Sequence, residues 1–266
     1  MVKYQHLDML YPMKNFHKNH WVMFMKKALY VTFSFKVFFT AVTLSLLCIS
    51  AGILFGMRNQ VVMSSSVVTK APLIIIDAGH GGEDGGTQSS SGIIEKDINL
   101  QISKKVNEIF RSLGYETIMT REEDTLIYDS VCKTQREKKV SDIHNRMEII
   151  EKYPDSIFLS IHQNHYSESK YNGAQVFYSP NNEISRLIAE SIQNNIISLV
   201  QSENTRKIKE SGTEIYLLYH AENPAVMVEC GFLSNPGEAL LLKDDDYQKE
   251  ISLAIVAGVT EYLKGE

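Results

Sequence analysis

Alternating strand-type and helix-type segments are the feature that most constrains the fold of this chain. Three short apolar runs, Leu73–Asp77, Ile157–His162 and Ala225–Glu229, have the pattern of strands that are covered on both faces. Between them lie segments with apolar residues at helical spacing, such as Lys96–Leu113 and Glu183–Val200. Strands that alternate with helices predict a single α/β domain with a largely parallel central sheet flanked by helices.

Further segments complete this alternation. Glu116–Thr120 and Ala174–Tyr178 are predicted strands, and Ser141–Lys152 and Tyr247–Leu263 are predicted helices. Thr125–Lys139 is polar throughout most of its length, and we interpret it as a surface insertion. The chain has 266 residues, which fits one catalytic domain and an appendage.

The appendage is the N-terminal segment. Val37–Met57 is uncharged and, at about 1.5 Å per residue, is long enough to span the roughly 30 Å hydrocarbon core of a bilayer. Lysines precede this run, and positive charge on that side predicts a cytoplasmic N-terminus and an extracytoplasmic body. The expected organisation is a cytoplasmic leader at 1–36, a transmembrane anchor at 37–57, a linker at 58–71 and a catalytic domain at 72–266.

Two other interpretations of the apolar run were weighed. A cleaved signal peptide is disfavoured by the long leader and by an apolar run longer than a typical signal core. A buried core helix is disfavoured by the length of the run. We therefore expect an uncleaved, single-pass anchor.

Charge is distributed unevenly along the chain. Residues 1–57 carry six lysines and one acid, a net charge of +5, and the remainder carries a net charge of −10. An acidic body lacks the basic footprint that nucleic acid requires, so we expect no nucleic-acid partner.

Chemically active side chains follow the three apolar runs. His80 lies in a glycine-rich turn after the first run, His162 ends the second, and Glu229 ends the third, while Glu95 comes shortly after the first turn. Functional residues of open α/β sheets gather where the parallel strands end. We therefore expect these four side chains to lie close together.

Two imidazoles and one carboxylate form a catalytic zinc site when water takes the fourth position. His80, Glu95 and His162 would supply the ligands, and Glu229 would be the second carboxylate, which moves protons. Each piece is weak alone, since a histidine after a strand is more often an ordinary surface residue. A glycine-rich turn can also cradle a phosphate, although Glu83 and Asp84 would repel one here.

Four motifs together resemble a known family. They are the segments Asp77–Gly82, Glu95, Ser160–Asn164 and Val228–Asn235. In this order they are similar to the zinc-dependent N-acetylmuramoyl-L-alanine amidases of the amidase-3 family, and the likeness covers roughly residues 72–265. The resemblance implies Zn²⁺ bound by His80, Glu95 and His162, Glu229 as the catalytic base, and peptidoglycan as the substrate.

A subgroup is indicated by shorter matches. They are similar to the germination-specific amidases of spore-forming bacteria, which remove stem peptides from cortex muramic acid before muramic δ-lactam forms. The matching segments are Met119–Asp124, Gly173–Phe177, Asn204–Arg206 and Gly231–Pro236. This likeness implies a role in spore cortex maturation, in the space between the membranes around the forespore. Whether a protein partner activates the enzyme is not decided by the sequence.

Other polar residues are weaker candidates. Asn164, Arg121 and Arg146 are candidates for binding the substrate, with a structural ion pair as the alternative for the two arginines. His165 could compete with His162 for the metal, but it comes directly after the strand and is expected to point elsewhere.

Three competing functions stay open at this point. A zinc peptidase that cuts within the stem peptide would use the same ligands. A catalytically silent wall-binding regulator would keep the fold without the metal. A nucleotide-binding module would use the glycine-rich turn for phosphate.

Overall fold

The computed structural model describes residues 71–265, together with residues 23, 25–26, 35–40 and 42–47. The chain divides into two units, residues 1–69 and 70–266, and each is described by itself. In the first unit, residues 35–40 and 42–47 are helical. Within the described part of the chain, no helix has both the length and the apolar character to cross a membrane. The rest of the predicted anchor, most of the leader and the linker up to residue 70 lie outside the described residues.

The second unit is built from six strands and six helices among the described residues. The strands are β1 (Ile74–Ala78), β2 (Thr117–Met119), β3 (Ile157–Asn164), β4 (Gln175–Tyr178), β5 (Lys209–Glu210) and β6 (Ala225–Phe232). The helices are α1 (Glu95–Ser112), α2 (Gln135–Lys152), α3 (Glu183–Leu199), α4 (Tyr216–His220), α5 (Pro236–Lys243) and α6 (Asp245–Lys264). Strands and helices alternate over most of the unit, as the sequence predicted.

The strands form one sheet in the order β2-β1-β3-β6-β4-β5. Neighbouring strands are parallel except for the β4–β6 pair, which is antiparallel. The prediction of an α/β domain with a largely parallel central sheet is confirmed. The carboxyl ends of β1, β3 and β6 consequently lie at one edge of the sheet.

Helices cover the sheet on both faces because successive strand side chains point in opposite directions. Ile74 and Ile76 of β1 pack with α1, α3 and α6 in one core cluster. Ile75 packs with α2 and α4 in a second cluster. Burial on both faces explains why the strands are continuous apolar runs in the sequence.

Two predicted strand ends are corrected. β3 continues to Asn164 and β6 continues to Phe232, so His162 and Glu229 lie within strands and not at their ends. The backbone ladder between these strands extends past the apolar runs to the pairing of Asn164 with Phe232. The polar side chains of His162 and Glu229, which belong to the site, therefore hid the length of the strands.

The predicted surface insertion at Thr125–Lys139 is wrong in its last five residues. α2 begins at Gln135, with Thr134 as N-cap, and Thr134 and Glu137 form a capping box. The first turns of the helix are exposed and carry no apolar periodicity, so only the Thr-x-x-Glu pattern could have indicated the start.

Candidate metal centre

Strand alternation places two of the predicted residues side by side. In β3, Phe158 packs in the α2–α4 cluster, and His162, four residues later, faces the same side. In β6, Met227 packs in that cluster, and Glu229 follows it by two residues. Because the strand register pairs His162 with Glu229, the imidazole and the carboxylate are neighbours on one face of the sheet.

The turn after β1 is held by two buried arginines. Arg121 donates from Nε to the Ala78 carbonyl at 2.8 Å and from Nη2 to the Gly79 carbonyl at 3.1 Å. Arg146 donates from Nη1 to the Ala78 carbonyl and from Nη2 to the His80 carbonyl, both at 3.0 Å. His80 has a φ of 62°, a left-handed value that is uncommon for a residue with a Cβ atom. The arginine contacts therefore hold the backbone in a conformation that it would not readily adopt alone.

A buried ion pair fixes Arg146 in turn. Its guanidinium contacts the Asp77 carboxylate, and its Nε donates to Asp142 at 2.8 Å. The hydroxyls of Ser160 and Thr120 donate to Asp77 at 2.6 and 2.7 Å. Burial alone would raise the pKa of Asp77, but the guanidinium and the two hydroxyls more than offset it and lower the pKa to about 2. Asp77 is thus a charged anchor at neutral pH.

These contacts correct the prediction that Arg121 and Arg146 bind substrate carboxylates. Each residue is only 3% exposed, and the N–H groups of each donate hydrogen bonds to backbone carbonyls or to buried acids. Such a guanidinium cannot reach a stem-peptide carboxylate. Arg146 is part of a structural ion pair, which was the alternative, and both arginines position the turn that carries His80.

The three predicted ligands come together at the carboxyl edge of the sheet. One ligand atom from each of His80, Glu95 and His162 lies within 4.8 Å of the others. Nε2 of His80 is 3.3 Å from Oε1 of Glu95, and Nδ1 of His162 is 3.0 Å from the same oxygen. The two rings are 5.0 Å apart and inclined at 72°. Among the described residues this is the one cluster of three or more such side chains that could hold a metal ion.

Neighbouring polar groups orient these side chains. Asp84 lies 2.8 Å from Nδ1 of His80, and Lys139 contacts the other oxygen of Asp84 at 2.6 Å. The backbone N–H of Thr87 donates to Oε2 of Glu95 at 2.8 Å, and the Asn99 amide donates to Oε1 at 3.3 Å. Carboxylate–histidine contacts of this kind fix the ring orientation in metal sites.

The electrostatics fit a cation. Burial would raise the pKa of Glu95, but hydrogen bonds with His162 and His80 lower it far below its usual range. Burial would lower the pKa of His80, yet contacts with Asp84 and Glu95 raise it to about 9. The carboxylates thus hold positive charge at this point of the protein. Two imidazoles and a carboxylate are a donor set that suits Zn²⁺, so the residues present fit the metal.

Glu229 lies beside the cluster without a hydrogen-bond partner. Its Oε2 atom is buried and has no partner within the described part of the chain. Burial raises the pKa of Glu229 to about 7, and the nearby Glu95 also raises it while His162 lowers it. A buried polar atom left unpaired is costly, which points to a partner supplied by water or substrate.

Two glycines make room for the ligands. A Cβ atom on Gly79 would lie 2.1 Å from Nε2 of His162, inside the imidazole ring. At Gly86, where φ is 67°, a Cβ atom would lie 2.4 Å from Oε2 of Glu95 and 2.7 Å from the His80 ring. The glycine-rich turn is therefore required by the packing of the ligands themselves.

The other candidate residues have simpler positions. Asn164 is half-buried at the end of β3, and its side chain forms no hydrogen bond with the described residues, so it stays a candidate for substrate binding. His165 is exposed and lies outside the three-residue cluster, as expected.

Three residues that orient the site were missed by the sequence analysis. Asp84, Asn99 and Lys139 contact the ligands or their partners. A carboxylate four residues after His80 was a usable signal, whereas nothing local marks Asn99 or Lys139 because their roles depend on how α1 and α2 approach the turn.

Comparison with known proteins identifies the family. Residues 74–261 match the profile of the N-acetylmuramoyl-L-alanine amidase family, amidase-3. The chain belongs to this family.

Relatives agree with this assignment. The germination-specific N-acetylmuramoyl-L-alanine amidase of Bacillus subtilis is 32% identical over 202 residues, which cover 74% of this chain and 82% of the relative. The structure of the CwlD amidase from Clostridioides difficile, solved in complex with the GerS lipoprotein, is similar with a TM-score of 0.71 and 41% identity. That match covers 74% of this chain and all of the other.

A third similar structure is an N-acetylmuramoyl-L-alanine amidase from Clostridium difficile 630. It has a TM-score of 0.64 and 30% identity, and it covers 74% of this chain. The amidase-3 domain, with its resemblance to CwlD, makes this chain an N-acetylmuramoyl-L-alanine amidase acting on peptidoglycan.

Replacing Gly79 tests the packing of the metal centre of this amidase. In Gly79→Ala the new methyl group displaces the His162 ring, so we expect the affinity for Zn²⁺ to fall by about 100-fold or more, beyond the usual effect of perturbing a ligand's surroundings. Gly85→Ala is the matched control, because its Cβ atom would meet only the Ile94 side chain at 3.3 Å. Zinc titration calorimetry measures both. Equal affinities in the two variants would contradict the described geometry.

Proposed function

We propose that this amidase is a zinc-dependent enzyme of spore cortex maturation, anchored to the membrane by its N-terminal segment. It would hydrolyse the amide bond between N-acetylmuramic acid and L-alanine, before muramic δ-lactam forms. The convergence of His80, Glu95 and His162 beside the unpaired Glu229 is the observation that carries the chemical part of this proposal.

Zinc would be held by His80, Glu95 and His162. When bound by such a ligand set, it polarises a carbonyl group and lowers the pKa of water to near 7. The protein supplies the rest of the chemistry. Asp84 contacts Nδ1 of the His80 ring, and the hydrogen bonds from the two arginines to the carbonyls of residues 78–80 keep the turn in place.

Glu229 would move the protons. Its unpaired Oε2 accepts a proton from the water that attacks the scissile carbonyl. As the carbon–nitrogen bond breaks, Glu229 would return that proton to the alanine nitrogen, so that the peptide leaves as a neutral amine. Asn164, whose side chain forms no hydrogen bond with the described residues, would hold the substrate backbone.

Replacing Glu229 tests this role. Glu229→Gln keeps the shape and cannot accept the proton, so we expect hydrolysis to fall by roughly 10³-fold while zinc content and thermal unfolding stay unchanged. Mass spectrometry of digested muropeptides is the measurement, since an amidase releases intact stems with a new N-terminal alanine. Glu222→Gln, an exposed glutamate before β6, is the control.

Two results would count against the proposal. Full activity in Glu229→Gln would remove the proposed base. Products cut inside the stem would favour the zinc peptidase.

The cortex role rests on relatives. The similar protein from Bacillus subtilis is named a germination-specific amidase. If this chain acts likewise, spores of a strain that lacks it should contain no muramic δ-lactam, and the wild-type gene but not Glu229→Gln should restore it. Muropeptide analysis of purified cortex measures this. Normal δ-lactam in the deletion strain would assign the enzyme to another wall layer.

A protein partner also belongs to this proposal. The similar CwlD amidase from Clostridioides difficile was solved in complex with a lipoprotein. A comparable partner, located on the same side of the membrane as the catalytic domain, would fit the anchored arrangement proposed here.

The anchor is supported by the uncharged run at 37–57 and the lysines before it. We expect the full-length protein in the membrane fraction, with the catalytic domain accessible to protease from outside. Removal of residues 1–57 should release it to the soluble fraction. A mature protein whose N-terminus lies after the apolar run would show instead that the segment is cleaved.

A further inference from the structure

An arginine lies on the far side of Glu229 from the metal ligands. Gln175 of β4 is the register partner of Glu229 across the antiparallel pair, so both side chains share one face of the sheet. The Arg206 guanidinium donates from Nη2 to Oε1 of Gln175. Along the edge of the sheet, the order is therefore the histidines, Glu229, and then Gln175 with Arg206.

Arg206 is held rigidly. Its guanidinium carbon lies 4.8 Å from the centre of the Phe232 ring, a cation–π contact. Its backbone N–H donates to Oδ1 of Asn204 at 2.9 Å, and the Asn204 amide donates to the Ala174 carbonyl at 2.9 Å. The segment is thus tied to the start of β4, and the side chain is oriented before any ligand arrives.

Arg206 nevertheless has no ion-pair partner among the described residues. Other cations around the site have one: Lys96 contacts Asp124 at 2.6 Å, Lys138 contacts Glu83 at 2.7 Å, and Lys139 contacts Asp84 at 2.6 Å. Arg206 forms no salt bridge with the described residues, and its buried Nε has no hydrogen-bond partner among them. Burial lowers its pKa, although Glu238 and Glu229 are near enough to oppose that change.

The buried, unpaired Nε of this half-buried guanidinium costs free energy unless an acceptor satisfies it, and an anion is the acceptor that a cation binds most strongly. The amidase substrate carries its negative charge on only one side of the scissile amide bond, the peptide side. The glycan is neutral, and the muramic carboxyl group is consumed in the scissile amide. The stem peptide carries free carboxylates, of which the nearest belongs to the residue that follows alanine.

The direction of the reaction puts that carboxylate near Arg206. Glu229 returns a proton to the alanine nitrogen, so the leaving peptide lies on the Glu229 side of the metal centre. The next groups along that edge are Gln175 and Arg206. A guanidinium binds a carboxylate through two parallel hydrogen bonds, which adds directional specificity.

We propose that Arg206 is a specificity-determining residue, which binds the free α-carboxylate of the second stem residue and so orients the peptide side of the substrate. This inference rests on the proposed amidase chemistry at the same site. It predicts that the enzyme prefers a carboxylate to a carboxamide at this position of the stem.

A pair of defined substrates tests it. One is a muramoyl peptide whose second residue has a free α-carboxylate, and the other has a carboxamide there. With the full-length protein we expect kcat/KM to be roughly 10- to 100-fold higher for the carboxylate. Arg206→Gln should remove this preference, mainly by raising KM for the carboxylate substrate, and Arg206→Lys should restore part of it.

Binding provides a second readout that does not need turnover. In the Glu229→Gln background, calorimetry should show the same preference for the carboxylate substrate, and adding Arg206→Gln should abolish it. Lys207→Gln is the matched control, because it removes one positive charge from the neighbouring, exposed residue. It should leave the preference intact.

Other outcomes overturn the inference. Equal rates on both substrates in the wild-type protein would exclude carboxylate recognition. An equal loss of kcat/KM on both substrates in Arg206→Gln would mean that Arg206 only supports the positions of Phe232 and Gln175. If neither substrate releases a stem with an N-terminal alanine, the amidase chemistry is refuted together with this inference. The two failures are distinguishable, because failure of the inference alone leaves that release intact.

Discussion

The buried contact between Asp77 and Arg146 is the interaction on which the rest of the site depends. It joins the end of β1 to α2, and the same guanidinium holds the Ala78 and His80 carbonyls. Breaking a buried ion pair by removing one partner typically costs about 3–5 kcal/mol, because the other charge is left unpaired. The turn that carries His80 is therefore fixed by a buried interaction that lies outside the cluster of candidate ligands and is not accessible to substrate.

Much of the architecture could be predicted because buried strands and helices have recognisable apolar patterns in the sequence. β1, and the first halves of β3 and β6, are apolar runs, and parallel strands buried on both faces must be so. The last residues of β3 and β6, 163–164 and 230–232, were missed because the polar side chains of His162 and Glu229 end the apolar runs. The predicted start of α2 was too late for a related reason, since the first turns of the helix face solvent and lack an apolar pattern.

The candidate site was predictable only in part. His80, Glu95 and His162 come from recognisable motifs, and the structure brings them together, while their role as zinc ligands stays a prediction. Asn99 and Lys139 could not be assigned from spacing alone, because their function depends on which groups α1 and α2 bring within reach. Arg121 and Arg146 were misassigned for the same reason: a sequence shows a cation without showing the carbonyls that surround it.

Two unpaired groups remain near one another at this edge, and they have opposite charges. Oε2 of Glu229 and Nε of Arg206 are both buried without partners among the described residues. Gln175 lies between them, since it is the register partner of Glu229 and contacts the Arg206 guanidinium. A direct ion pair between these two groups would be favourable. The contacts of Arg206 with Gln175 and Phe232 keep them apart. A substrate that presents an amine to one and a carboxylate to the other would satisfy both at once. Under the proposed function, the Glu229 carboxylate and the Arg206 guanidinium would face the nitrogen and the carboxylate of the leaving peptide. The substrate would then supply the partner that each of these groups lacks among the described residues.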